Sequence, residues 1–211
     1  MKIILDFDGT LVDSYHCIPE IYKEIEEKYG FKEGFSEAML MVEDLGDFFG
    51  IFERRDWIII LAKDVAEEIL RYYWDERMKR QKVLEDVKAF LENINAELYL
   101  VTSKDDDKET KYKRIKATGL EKYFKDIIIY GEDFKDLLEA IEYVIDEKDN
   151  CVYIDDKNIN IFKVVSRFKE VKAYKRKFYP PFPKKLAWNY PKINVEEIDD
   201  LRKLLNVIKN Y

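Results

Sequence analysis

The chain has 211 residues, 47% of them apolar, with 37 basic and 44 acidic side chains and a net charge of −7. That length supports one good-sized hydrophobic core, or a core with a smaller appended unit, and the apolar content excludes a disordered chain. The acidic balance argues against nucleic acid or an anionic membrane as a partner, no apolar run reaches the roughly 18 residues of a membrane span, and the first acidic residue comes too early for a signal peptide, so a cytoplasmic protein is expected.

The first element is the run KIILDF, read as a strand. Alternate strand residues point the same way, so Asp6 and Asp8 project together, about 6 to 7 Å apart at the backbone. At an effective dielectric near 20 two such charges repel by about 3 kcal/mol, and a shared proton, a lysine or a divalent cation would offset them. A carboxylate pair suits a hard cation such as Mg²⁺. Turn chemistry fits the same residues, because Asp-Gly, here Asp8 and Gly9, is a common turn dipeptide. Both readings stand on this stretch alone.

About seventy residues after Ser14 hold no clear strand but carry amphipathic helices, one with the stripe Ile18, Ile21 and Ile25, another with Ile58, Leu61, Val65, Ile69 and Tyr73. Residues 15–81 are therefore expected to form a helical cap domain inserted between the first and second strands of a core made by residues 1–14 and 82–211. Arg54, Arg55, Trp57 and Trp74 are candidate substrate contacts, although the aromatics also suit a helical core and the arginines a solvated face. The only histidine, His16, gives little support to a Ser-His-Asp or Cys-His mechanism and suits a hinge or packing role. Cys17 and Cys151 are far apart and suggest neither zinc nor a disulfide framework.

Helical spacing follows at Val83, Val87, Phe90 and Leu91, then a strand at AELYLVT that ends in Thr102 and Ser103. Another strand, DIIIY, precedes a helix marked by Leu137, Leu138, Ile141, Val144 and Ile145. The strand NCVYID ends in Asp155 and Asp156, and EVKAYK is the last strand expected. The basic, aromatic and proline-rich stretch 172–191 reads as a solvated loop near the functional edge of the sheet, the alternative being a surface that attracts anionic substrates. A final helix is expected from Asn194, with Glu197 completing a capping box and Ile198, Leu201, Leu204, Leu205 and Ile208 buried. Strands alternating with helices specify an α/β fold with a parallel sheet and helices on both faces.

Ligands of open parallel sheets bind beyond the carboxyl ends of the strands, near a topological switch point. Asp6 with Asp8, Thr102 with Ser103, and Asp155 with Asp156 all fall at such ends, and so matched a set points to a functional site. The set resembles the haloacid dehalogenase-like hydrolase superfamily, most of whose members are phosphatases: DFDGTLVDS is similar to its first motif, LYLVTS to its second and VYIDD to its fourth. The resemblance implies a Rossmann-like core with a helical cap inserted after the first motif. It also implies Asp6 as nucleophile and Asp8 as general acid/base, Thr102 as the phosphate-binding hydroxyl, and Mg²⁺ held by Asp6, the backbone carbonyl of Asp8, Asp156 and Asp155. Gly9 would let the backbone approach the phosphate and Ser103 would add a second hydroxyl. The third motif, usually lysine followed by proline, falls on Lys135, which precedes Asp136; its place before a helix favours it over Lys104 or Lys113. Where the family often has another aspartate after the fourth motif, the chain has Asn160.

The function this implies is Mg²⁺-dependent hydrolysis of a small phosphorylated metabolite through an aspartyl-phosphate on Asp6. The alternatives are a sugar phosphate mutase or phosphotransferase of the same family, and a non-enzymatic phosphoacceptor or metal-binding regulatory module. Dehalogenation would leave Asp8 without a task.

Overall fold

Short β-branched runs on either side of a central strand build one six-stranded parallel sheet in a computed structural model that describes residues 1–51, 53–145 and 150–208, the side chain of Ile208 excepted. The central strand is β1 (Lys2–Leu5); a two-residue β2 (Val12–Asp13) follows the first motif. Four helices come next: α1 (Ile18–Lys28), α2 (Phe35–Phe49), α3 (Arg54–Ala62) and α4 (Ala66–Arg80). The chain then returns through β3 (Lys82–Val83), α5 (Val87–Asn93), β4 (Glu97–Ser103), α6 (Lys108–Thr118), β5 (Asp126–Tyr130) and α7 (Leu137–Val144). It crosses the sheet to β6 (Cys151–Asp155), α8 (Asn158–Arg167), β7 (Lys172–Arg176), α9 (Leu186–Asn189), β8 (Glu196–Ile198) and α10 (Leu204–Ile208). Spatial order is β5-β4-β1-β6-β7-β8, so the chain changes direction of travel at β1. Leu5 lies level with both Leu100 and Ile154, which brings the ends of β1, β4 and β6 side by side.

Period-two alternation divides the sheet's side chains between two cores. Ile3, Leu5, Leu98, Leu100, Val152 and Ile154 pack with Val87, Phe90 and Ile115 on one face. Ile4, Tyr99, Val101 and Tyr153 pack with Leu137, Ile141, Ile161 and Val164 on the other. Helices α1 to α4 share a third core, in which Ile18, Ile21, Ile25, Ile69 and Tyr73 are buried. The antiparallel β2–β3 ribbon pairs Val12 with Val83 and so ties together the two ends of this helical stretch. No helix among the described residues is long and apolar enough to cross a membrane.

Three expectations need correction. The stripe from Ile58 to Tyr73 is not one helix: Lys63 takes a φ of +21° and a 3-10 turn separates α3 from α4, leaving Leu61 and Val65 exposed. Residues 172–191 are not a solvated loop, because Phe178, Phe182, Ala187 and Trp188 are buried in the third core. The side chain of Asp44 on α2 holds this segment, accepting from the backbone N–H groups of Lys184 (2.6 Å), Lys185 (2.8 Å) and Leu186 (2.8 Å). Finally, no helix begins at Asn194. Residues 196–198 add an edge strand to β7, and helical structure starts only after Asp200, whose carboxylate accepts from Arg202 N at 2.9 Å. Leu201 and Leu204 are buried and Leu205 is partly buried as expected, while the side chain of Ile208 lies outside the described residues.

Candidate active site

Beyond Leu5 the chain stays tied to β6 through Asp6 N–H and Ile154 O (3.0 Å), then folds back on itself through Gly9 N–H to Val12 O (2.8 Å). Gly9 has a φ of +82°, and a Cβ there would stand 2.6 Å from Asp156 Cγ, so only glycine permits this approach of loop to carboxylate. Thr10 is fully buried, with no hydrogen-bond partner for Oγ1 among the described residues.

This packing brings together acids that are about 150 residues apart in sequence: Asp6, Asp155 and Asp156 each place a carboxylate oxygen within 4.8 Å of the others, and all three are buried. Two charges about 5 Å apart repel by about 3 kcal/mol at an effective dielectric near 20. Burial and the neighbouring Asp155 push the Asp6 carboxyl up to about 8, and burial with Asp155 raises Asp156 as well. The two acids of β6 differ in what already satisfies them. Asp155 accepts from the Tyr153 hydroxyl, from Lys157 N (2.7 Å) and from Asn160 Nδ2 (3.0 Å). Among the described residues Asp156 accepts only from the Trp188 indole N–H at Oδ2, and its Oδ1 is buried with no partner. Three clustered carboxylates, one with an orphaned oxygen, form an all-oxygen donor set that fits Mg²⁺. Asn160 thus serves Asp155 as a hydrogen-bond donor.

Asp8 points elsewhere. Its Oδ1 accepts from Ser14 Oγ and from Arg114 Nη2 (2.5 Å), its Oδ2 from Lys111 Nζ, and Arg77 Nη2 lies 3.9 Å away. Burial opposes its ionisation, but Arg114, Lys111 and Arg77 outweigh burial and hold the carboxyl well below the usual carboxylate range. Asp105 shares the same cations, 2.9 Å from Lys111 and 3.1 Å from Arg114. Rings of Phe7 and Trp74 flank the Arg114 guanidinium at 5.7 Å.

Thr102, buried, and Ser103 line the cleft over Asp6 and Asp8, together with Arg54, Arg77, Lys104 and Lys157. Free space in the cleft is about 20 Å³, room for about one water molecule. A wider cavity of about 280 Å³ adjoins it, sharing Asp47, Ser103, Tyr130, Lys157 and Asn160 as lining. Lys135 belongs to that second cavity, where its side chain is exposed on the rim. Lys113 is paired with Glu109 on the surface.

Of the candidate contacts in the helical stretch, Arg54 faces the cleft while paired with Glu43 (2.6 Å), and Trp74 donates to Asp106. Arg55 is exposed and pairs with Glu67, and Trp57 packs against Gly46. His16 stands 3.0 Å from Asp13 at the ribbon and edge-on to Phe178. Sequence reasoning missed Lys111, Arg114, Asp105, Arg77, Asp47 and Trp188. Only the spacing of Lys111, Arg114 and Ile115, which puts all three on one helix face, signalled that part of the charged run KETKYKRIK turns inward.

Residues 3–163 match the family profile described as haloacid dehalogenase-like hydrolase. A phosphorylated carbohydrates phosphatase of Thermotoga maritima is 28% identical to the chain over 63% of its length, and an N-acylneuraminate-9-phosphatase of Homo sapiens is 29% identical over 62%. The chain spans about three fifths of the length of these relatives, 62% and 61% respectively. Among solved structures, a haloacid dehalogenase-like hydrolase from Streptococcus pneumoniae superposes with a TM-score of 0.66 at 17% identity, covering 98% of this chain and 97% of that one.

Proposed function

Because the chain belongs to the haloacid dehalogenase-like hydrolase family, we propose that it is a Mg²⁺-dependent phosphatase that hydrolyses a small phosphorylated metabolite with Asp6 as nucleophile. The buried group of Asp6, Asp155 and Asp156, with its orphaned Asp156 Oδ1, carries the reading. Both relatives compared above are named as phosphatases of phosphorylated carbohydrates or of an acylneuraminate phosphate, which supports a sugar-like leaving group.

Hydrolysis of phosphate monoesters without a catalyst is slow enough that enzymes supply rate gains up to about 10²¹, more than one carboxylate can provide. Asp6, Asp155, Asp156 and the backbone carbonyl of Asp8 would hold Mg²⁺, which when bound would supply positive charge for an anionic side chain to approach an anionic ester. An Asp6 oxygen then forms a bond to phosphorus as the ester P–O bond breaks, and the electron pair leaves with the alkoxide, which takes a proton from solvent water. Water attacks the aspartyl-phosphate, restoring Asp6 and releasing phosphate. Asp8, ionised by Arg114 and Lys111, is in the right state to take the proton from that water. Donating a proton to an alkoxide, the other half of its family role, requires those cations to draw back, whereas an aryl leaving group needs no proton. Thr102 and Ser103 would hold phosphoryl oxygens, and Gly9 lets the backbone close on them. Residues 15–81 would act as the cap that admits substrate and excludes water, with the β2–β3 ribbon at its hinge.

Phosphate release from an aryl phosphate and a metabolite panel, with and without chelator, tests the proposal. The expected result is Mg²⁺-dependent release that Asp6→Asn lowers by at least about a thousandfold while leaving the fold intact. No Mg²⁺-dependent release from any ester would favour a phosphoacceptor or metal-binding regulatory module, and turnover of sugar bisphosphates without free phosphate would favour a mutase.

A further inference from the structure

We propose that Lys157 is the cation that receives the transferring phosphoryl group, and that the carboxylate of Asp47 occupies the place of that group in the arrangement seen here. The assignment rests on the phosphatase reading for its chemistry and on four observations for its geometry. Lys135, at the third-motif position, sits exposed on the rim of the outer cavity. Lys157 is buried and lines both the cleft over Asp6 and the cavity beside it, where a phosphate ester would straddle the two. The rings of Tyr15 (5.5 Å) and Trp188 (5.2 Å) fix its ammonium group from two sides. Its Nζ pairs with Asp47 Oδ1 at 2.6 Å, and Asp47 Oδ2 is buried without a hydrogen-bond partner among the described residues.

An ammonium paired with one carboxylate oxygen, while the other oxygen lacks a partner, is half of an anion site already filled from within the chain. A phosphoryl group brought beside Asp47 would meet a like charge in a cleft with room for about one water, so it must displace Asp47, and the helix that carries it, from Lys157. Asp47 lies near the end of α2, in the stretch inserted after the first motif, and its departure from Lys157 would link substrate entry to movement of that stretch.

Binding of orthovanadate, a mimic of the five-coordinate phosphoryl group, measured calorimetrically in the presence of Mg²⁺, tests this without turnover. Lys157→Met should weaken binding by about tenfold to a hundredfold, the loss expected for one charge-assisted contact, and Lys157→Arg should recover most of it. Asp47→Asn should tighten binding by at least about threefold, a gain that a purely structural pair would not give. Should Lys157→Met fail to fold, the double variant Asp47→Asn with Lys157→Met removes both buried charges together and should still bind weakly. Unchanged binding in the folded Lys157 variants, loss of binding in Lys135→Met instead, or wild-type protein that binds no vanadate would overturn the assignment. Failure to hydrolyse any ester, with the vanadate pattern intact, would defeat the phosphatase reading and leave the anion site standing.

Discussion

At Asp8 and Asp105 two buried carboxylates face Lys111 and Arg114, with Arg77 close behind, and the outcome of folding for these acids is decided by that ratio of charges. Arg114, Lys111 and Arg77 offset burial and lower Asp105 in the folded state, so its ionised form is the one that stabilises the fold. A depressed carboxyl contributes stability at pH values above its unfolded value, near 4, and loses it as pH falls toward the folded value. Urea unfolding of the wild type should therefore show stability decreasing from about pH 4 downward. Asp105→Asn should lower stability at pH 7 by about 2 to 4 kcal/mol, because Lys111 and Arg114 lose a buried partner, and should flatten the acid limb. An acid limb as steep as that of the wild type would contradict the account. Asp6, Asp8, Thr102, Asp155 and Asp156 were legible in the sequence as candidates because each lies at or just beyond the end of a strand, where the sequence changes abruptly from apolar to polar. Lys111 and Arg114 were not, since a helix rich in lysine resembles a solvated face until its partners, Asp8 and Asp105, are known. Lys135 shows what such a reading leaves open: a position before a helix fixes a residue's place along the chain, not the direction of a long side chain, which here lies exposed on the outer cavity.

Among the elements, the strands were read more reliably than the loops that join them to the helices. Runs such as AELYLVT and NCVYID need only their own alternation to specify a buried strand, whereas residues 172–191 take their structure from α2, a partner about 140 residues away. Prolines and lysines made that segment look solvated, yet Phe178, Phe182 and Trp188 are buried in the third core and Trp188 carries its indole to Asp156. The same dependence explains residues 194–198. Their pattern permits a helix start, but the open edge of β7 offers backbone partners that local capping cannot match. Asp44 is the residue on which the 172–191 segment hangs. Asp44→Ala strands three backbone N–H groups and should cost about 2 to 3 kcal/mol, about 5 to 10 °C in Tm. Thermal unfolding should show that loss, and a change within about 1 °C would mean that aromatic packing alone holds the segment.

The whole molecule assembles its candidate site from the ends of three adjacent strands, with the crossing from β5 to β6 placing the acids of β6 beside the end of β1. The fold was accessible from the sequence because hydrophobic period and strand-helix alternation are properties of the chain itself. The helical stretch could be recognised as an interruption, but its inward charges, Arg54, Arg77 and Asp47, depend on how it sits over the sheet. The account's central claim is that Asp6, among acids that a cation neutralises, attacks phosphorus. Mass spectrometry of protein quenched in acid during turnover of a phosphate ester tests it most directly. The account predicts a phosphoryl group on the peptide that contains Asp6, absent in Asp6→Asn and when Mg²⁺ is chelated; phosphate release with no label on Asp6, or with the label on another residue, would contradict it.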